Sequence, residues 1–236
     1  VDGVKSLLLS PCLLCCAPWA EAVDSSSDEQ IVPIDNEPSH RAVLHGVSMR
    51  VFDAFFPSGK VSLYHSHKAD SVFVCLEGAD VASEEPGKAV TPRPPIPSGH
   101  IYYRPYAQQP LVHRVRNLSP TSFRILDIEV LKERPTVPVV LPELPSAFSV
   151  VIDNDRVRVA KLHLVAGQST IEIEFAGPRL LAVLNAGRFA ISFRGQPNRR
   201  SVDAIPGSLD MQENVSKEVI INAGDTDLDL VSIEIK

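Results

Sequence analysis

The residues of this chain with the richest chemistry lie in its first half. His65 and His67 stand two apart in the segment Gly59-Lys-Val-Ser-Leu-Tyr-His-Ser-His67. On a β-strand that spacing puts both imidazoles on one face, and in a small closed barrel that face is the lumen. Further on, His113-Arg-Val-Arg-Asn117 alternates in the same way. His113, Val115 and Asn117 take the inward face, and Arg114 and Arg116 take the other. Three imidazoles converging inside a barrel are a donor set for one first-row divalent metal. Without a metal, each would need another hydrogen-bond partner. Cys75 alternates with Ser71 and Phe73, so it also points to the lumen, as a small buried hydrophobe or as a soft neighbour of the metal. His40, His45 and His163 read as surface or strand-end residues, and His100 as a loop residue.

The elements that must position these histidines are strands. Asn117–Leu131 aligns without a gap to Asn222–Lys236, each copy running from Asn through a turn into a strand that carries a Glu at the same step. Met49–Gly59 aligns to Val157–Gly167, and Leu76-Glu-Gly78 and Pro97 are followed in order by Leu184-Asn-Ala-Gly187 and Pro206. Two copies of one domain, 39–131 and 147–236, account for this repeat. Between them, residues 132–146 place prolines at 135, 138, 142 and 145, a spacing that opposes helix and central strand and predicts an extended linker. Ser169–Phe175 puts Ile171, Ile173 and Phe175 on one face and polar residues on the other, the period of a strand. No stretch sustains a helical period over three turns. The expectation is all-β, with two small barrels in tandem.

In the second copy Ile173 and Phe175 stand where His65 and His67 stand, and Glu218 stands where His113 does. That lumen cannot hold a divalent cation, so the second barrel is expected to be structural, with Glu218 in need of a partner. Apolar residues make up 44% of the chain and charged ones 22%, a composition that excludes disorder. A net charge of −6 without a basic run leaves no electrostatic footprint for nucleic acid or an anionic membrane. Four cysteines in 236 residues are too few for a disulfide scaffold.

Val1–Ala22 has Lys5 ahead of the apolar run Leu7–Ala17 and closes on Ala20-Glu21-Ala22. This reads as a secretory signal peptide, too short to be a comfortable membrane span. Residues 23–38 follow as a polar leader. The expectation is a periplasmic or secreted protein, free of the membrane after cleavage, that forms a homodimer if barrel edges pair.

The spacing of these residues resembles the cupin superfamily, specifically a two-domain (bicupin) protein similar to bacterial cupin-domain proteins of unassigned activity. Gly59, His65, His67 and Gly78 match the first cupin motif, and Pro97, Gly99, His113 and Asn117 match the second. The motif's glutamate falls on Ser71, beside Asp70. The resemblance implies two jelly-roll barrels and one divalent metal on His65, His67 and His113. Fe(II) is the first choice, with Mn, Ni or Zn as alternatives. Either three histidines leave positions open, or Asp70 or a water completes the sphere. A small-molecule substrate that chelates, such as an enediol, diketone, catechol-like or thiol acid, is implied for a dioxygenase, isomerase or lyase. Tyr64 and Tyr103 become catalytic candidates, and Ser71, Cys75, Arg114 and Asn117 are candidates to surround the substrate. The insert His100–Val112 (HIYYRPYAQQPLV) is longer than the motif's gap and is expected to line the barrel mouth. The alternatives are a metal- or ligand-binding module without turnover, or a purely structural protein.

Overall fold

The computed structural model describes residues 30–90, 93–196 and 199–236; the expected signal peptide and the first part of the leader lie outside these. The described residues contain eighteen β-strands and one short 3-10 turn, with no α-helix. Among the described residues no helix is long and apolar enough to cross a membrane. The first barrel comprises β1 (Ile31–Pro33), β2 (His40–His45), β3 (Met49–Phe56), β4 (Tyr64–His67), β5 (Ser71–Glu77), β6 (Val81–Glu84), β7 (Ile101–Arg104), β8 (Leu111–Asn117) and β9 (Phe123–Val130). Its two sheets run β1-β4-β8-β6 and β2-β3-β9-β5-β7. The second comprises β10 (Phe148–Asp153), β11 (Val157–Leu164), β12 (Ile173–Phe175), β13 (Arg179–Val183), β14 (Gly187–Phe193), β15 (Arg199–Ala204), β16 (Leu209–Gln212), β17 (Ser216–Asn222) and β18 (Leu228–Ile235). Its sheets run β12-β17-β14-β15 and β10-β11-β18-β13-β16. The barrels are jelly rolls of the same plan, as the repeat predicted.

The first barrel begins earlier than residue 39. Ile31–Pro33 pairs in parallel with Tyr64–Ser66, Ile34 is buried, and Glu37 is buried with it. The alternation Ile31, Val32, Pro33, Ile34 supplies one inward side chain per two residues, so the end of the leader is part of the fold.

The inner strands of each five-stranded sheet are buried on both faces, which explains their nearly unbroken apolar runs, while the edge strands β2 and β10 are largely exposed. One face lines its own lumen. The other packs against the sister sheet: Met49, Val51, Val72, Val74, Leu126 and Ile128 form one cluster with Val157, Val159, Leu180, Ala182, Val231 and Ile233. Polar ties cross the same seam. Arg156 Nε donates to Asp70 at 2.9 Å, and the Val47 amide donates to Glu213 at 2.6 Å. Residues 132–146 run outside regular structure, apart from bends and a turn.

Two features recur in both barrels and are therefore structural. Arg50 donates to Glu129 at 2.8 Å as Arg158 donates to Glu234 at 2.8 Å. Asn117 donates to the Phe56 and Thr121 carbonyls and accepts from the Ser119 amide. Asn222 does the same with Leu164, Thr226 and Gly224. Asn117 is thus committed to a turn that both barrels share, where it had been expected near the substrate.

Candidate metal centre

β4 and β8 pair so that His65 and His113 are direct cross-strand neighbours, and the two-residue period brings His67 to the same face. The three rings offer ligand atoms that all lie within 4.8 Å of one another. His65 and His67 are buried, and His113 is 9% exposed. Each ring has a defined outer contact. His65 Nδ1 lies 3.0 Å from the Leu63 carbonyl, His113 Nδ1 lies 2.7 Å from Ser83 Oγ, and His67 Nδ1 lies 3.3 Å from Asp127. On the inner side, His67 Nε2 faces His113 Nε2 at 3.1 Å, and His65 Nε2 is buried with no hydrogen-bond partner. Holding the outer nitrogen fixes ring orientation and leaves the inner lone pair for a cation. Burial, with repulsion from His40 and His67, pushes the His65 imidazolium pKa down to about 3. Burial and its histidine neighbours also hold His113 well below its ordinary value. Both rings are therefore neutral at physiological pH, the form that binds metal. The donor set fits a divalent transition metal.

A cavity of about 140 Å³ opens beside the histidines, walled by Phe56, Phe73, Ile125, Tyr102 and Tyr106, with Arg93 and Arg104 also lining it. Tyr102 and Tyr106 come from the insert 100–112, which does line the cavity. The Tyr102 ring stacks on Phe73 with centroids 4.8 Å apart, and the Arg104 guanidinium sits 5.3 Å from its centroid. Burial and the nearby Asp127 push the Tyr106 phenol up to about 12, so its hydroxyl stays a hydrogen-bond donor.

His40 is not at the surface. It is buried, it lines the cavity, and its ring centroid is 4.5 Å from that of His65. Its Nδ1 lies 2.6 Å from Glu37, whose two oxygens also accept the Ser39 and Leu63 amides. Burial raises the Glu37 carboxyl, but His40 and these amides outweigh it, and the net shift is downward. Sequence reasoning missed His40, Glu37 and Asp127. For Asp127 a signal existed: it alternates with Phe123 and Ile125, which face the lumen.

Other expected site residues lie elsewhere. Tyr64 alternates with His65 and so turns away from it, with the Arg114 guanidinium 4.8 Å from its ring centroid; Arg114 also donates to Glu84 at 2.7 Å. Tyr103 packs against the cluster between the barrels. Ser71 donates to the Ala69 carbonyl and Asp70 is held by Arg156 and Arg134, so Asp70 is no substitute for the missing glutamate. Cys75 does face inward, among Ala54, Phe73 and Ile125. Burial pushes its thiol up to about 12, which makes it a hydrophobe rather than a soft ligand.

Among its described residues the second barrel offers no such cluster, and its lumen shows why. Strand register places Ile173 opposite Glu218 as His65 is opposite His113. It also places Arg179 opposite Glu234 as Ser71 is opposite Glu129. Arg179 is wholly buried and forks onto Glu218, with Nε at 2.8 Å, and onto Asp210 at 2.6 Å. A guanidinium supplies the lumen's positive charge, so Glu218 has its partner within the chain.

No protein-family model matches the chain, and no curated protein matches it. Solved structures do share its fold. Against Lactobacillus farciminis oxalate decarboxylase the TM-score is 0.60 at 12% identity, over 84% of this chain and 80% of that one. Against AerE from Microcystis aeruginosa it is 0.58 at 10% identity, over 85% and 98%. Against a salicylate 1,2-dioxygenase from Pseudaminobacter salicylatoxidans it is 0.56 at 11% identity, over 90% and 78%. The fold is that of two-barrel cupins.

Proposed function

From this two-barrel cupin fold we propose that His65, His67 and His113 hold one divalent transition metal at which a small chelating acid is turned over. The observation that carries this reading is the convergence of three imidazoles, two of them tethered on their outer nitrogens and the third with Nδ1 3.3 Å from Asp127, around an unpartnered buried His65 Nε2. Several of the inward polar residues around the three histidines are also particular to this barrel. At the equivalent registers the sister barrel has Phe148 for His40, Ile191 for Ser83 and Ser232 for Asp127. Because a barrel of this plan folds without them, their presence supports a functional role.

A bound metal would supply Lewis acidity and a template for a bidentate substrate. The protein's own groups then select and handle that substrate. A cavity of roughly 150 Å³ accommodates a benzene-sized molecule, so about 140 Å³ suits one six-membered ring or a smaller acid. Phe56, Phe73 and Ile125 exclude water from one side. Arg93 and Arg104 supply positive charge for a carboxylate, and the Tyr106 hydroxyl donates a hydrogen bond. His40, with Nδ1 held by Glu37, presents its other nitrogen to move a proton on the substrate. The names of the oxalate and salicylate enzymes sharing the fold agree with a small acid. Fe(II) is the first ion to test, with Mn, Ni and Zn next, and export as a periplasmic or secreted protein belongs to the same proposal.

The test is metal content by plasma mass spectrometry on untagged protein, beside the double variant His65→Ala/His67→Ala. About one equivalent of metal, lost in the variant, is the expected result, followed by oxygen-consumption or lyase screens on small acids. Metal in neither protein, with no rise in melting temperature on metal addition, overturns the proposal. Ser71 in place of a carboxylate ligand favours one rival, a binding module without turnover. That rival predicts ligand affinity that survives metal removal.

A further inference from the structure

Asp127 is 1% exposed in the wall of the first barrel, and neither of its carboxylate oxygens has a hydrogen-bond partner. Nearby, His67 Nδ1 lies 3.3 Å from Oδ2 and is likewise without a hydrogen bond. Leaving a buried carboxylate unpaired is costly, and nothing in the barrel's architecture requires one here. At this register the sister barrel carries Ser232, also buried.

We infer that Asp127 is a positioning residue, an acceptor reserved for the Nδ1–H of His67 that presets this ring as a metal ligand; the inference rests on the metal-centre reading above. A neutral imidazole has one N–H and one lone pair. His67 Nε2 is available to a cation only when the hydrogen sits on Nδ1. Ser83, at His113, has a hydroxyl that both donates and accepts, so it tolerates either tautomer of that ring. A carboxylate accepts only, so Asp127 tolerates one. In the metal-free state the 3.1 Å contact between the two Nε2 atoms needs one hydrogen between them. With His67 fixed by Asp127, that hydrogen belongs to His113. His67 is thus the ring that is ready, and His113 the ring that must change tautomer when a cation enters, losing the hydrogen on Nε2 and gaining one on Nδ1, where Ser83 Oγ turns from donor to acceptor.

This makes Asp127 a group that weakens the empty protein and strengthens the loaded one. The test is Zn(II) affinity of the full chain by competition with a chromophoric chelator, with melting temperatures of the metal-free proteins, for wild type, Asp127→Ser and Asp127→Asn. Asp127→Ser is expected to weaken Zn(II) binding by about 10- to 100-fold while raising the metal-free melting temperature. Asp127→Asn keeps one acceptor oxygen and is expected to fall between, and ¹⁵N spectra of the Zn(II)-loaded wild type should show the His67 hydrogen on Nδ1. If wild type binds Zn(II) and Asp127→Ser binds within twofold of it, the inference falls and the metal reading stands. If wild type binds no Zn(II), the metal reading falls and takes the inference with it. A lower melting temperature in both metal-free variants would make Asp127 an ordinary structural residue and also overturn the inference. Should Asp127→Ser not fold, the near-isosteric Asp127→Asn carries the same comparison.

Discussion

Replacing Glu218 by Gln removes one charge from the buried cluster of the second barrel while keeping its shape. Arg179 is then left in a dry lumen, with an amide facing its Nε and Nη2. Removing one partner of a buried ion pair costs about 3–5 kcal/mol. Arg179 keeps its bond to Asp210, which places the loss at the lower end, about 3 kcal/mol. For a chain of this length each kcal/mol moves the melting temperature by about 2–4 °C, so a drop of about 6–12 °C is expected by calorimetry. The companion variant Arg179→Met/Glu218→Leu removes both charges and leaves Asp210 with Arg200. Such replacements are often neutral or stabilising by about 1–4 kcal/mol, so its melting temperature should match or exceed wild type. Metal loading of the first barrel should be unaffected in both. A shift under about 2 °C for Glu218→Gln, or a double variant as unstable as the single, would refute the view that the guanidinium is held by its carboxylates.

Acid should destabilise the metal-free protein partly through the histidine cluster. His65 has a folded pKa of about 3 against an unfolded value near 6.5, so the unfolded state binds more protons between them. Stability is full above about pH 6.5 and is lost as pH falls toward 3, at up to about 1.4 kcal/mol per pH unit for this group. His65→Gln should flatten that slope in urea titrations at several pH values, and an unchanged slope would count against the burial argument. At Gly78 an added Cβ would sit 2.5 Å from the Ile96 carbonyl oxygen and 2.6 Å from the Ser98 nitrogen. These are backbone atoms that cannot swing aside. Gly78→Ala should therefore cost about 1–3 kcal/mol, read as a shift in denaturation midpoint, and a neutral effect would show that the loop before β7 gives way easily.

The repeat was legible because each copy reuses the same Asn-turn-strand ending with a Glu at the same step, and residue spacing alone put His65, His67 and His113 on inward strand faces. What the sequence concealed depends on register. His40 lies far upstream of His65 in sequence and meets it only because β2 and β4 belong to opposite sheets of one closed lumen. Ser71 invited a search for a substitute ligand at Asp70. Strand alternation turns Asp70 out of the lumen toward the interdomain seam, where Arg156 takes it. Asn117 looked like a site residue because it ends the strand of His113, yet Asn222 performs the same turn in a barrel with no metal centre. Tyr64 was drawn in by its neighbour His65, although adjacent residues on a strand face opposite ways.

The apolar seam between the barrels has a consequence for how the molecule has been free to change. Because Val51, Leu126 and Ile128 share one cluster with Val159, Leu180 and Ile233, neither barrel can loosen without exposing the other's back. The unit of folding is then the pair, and the barrel filled with apolar side chains becomes a reservoir of rigidity for the one that carries the histidines. A lumen crowded with four imidazoles and an unpaired carboxylate is a poor core for a barrel standing alone. Buttressed by a neighbour filled with Ile, Leu and Phe, the same lumen can be kept open and polar, and duplication separates a half that carries the histidines from a half that carries the load.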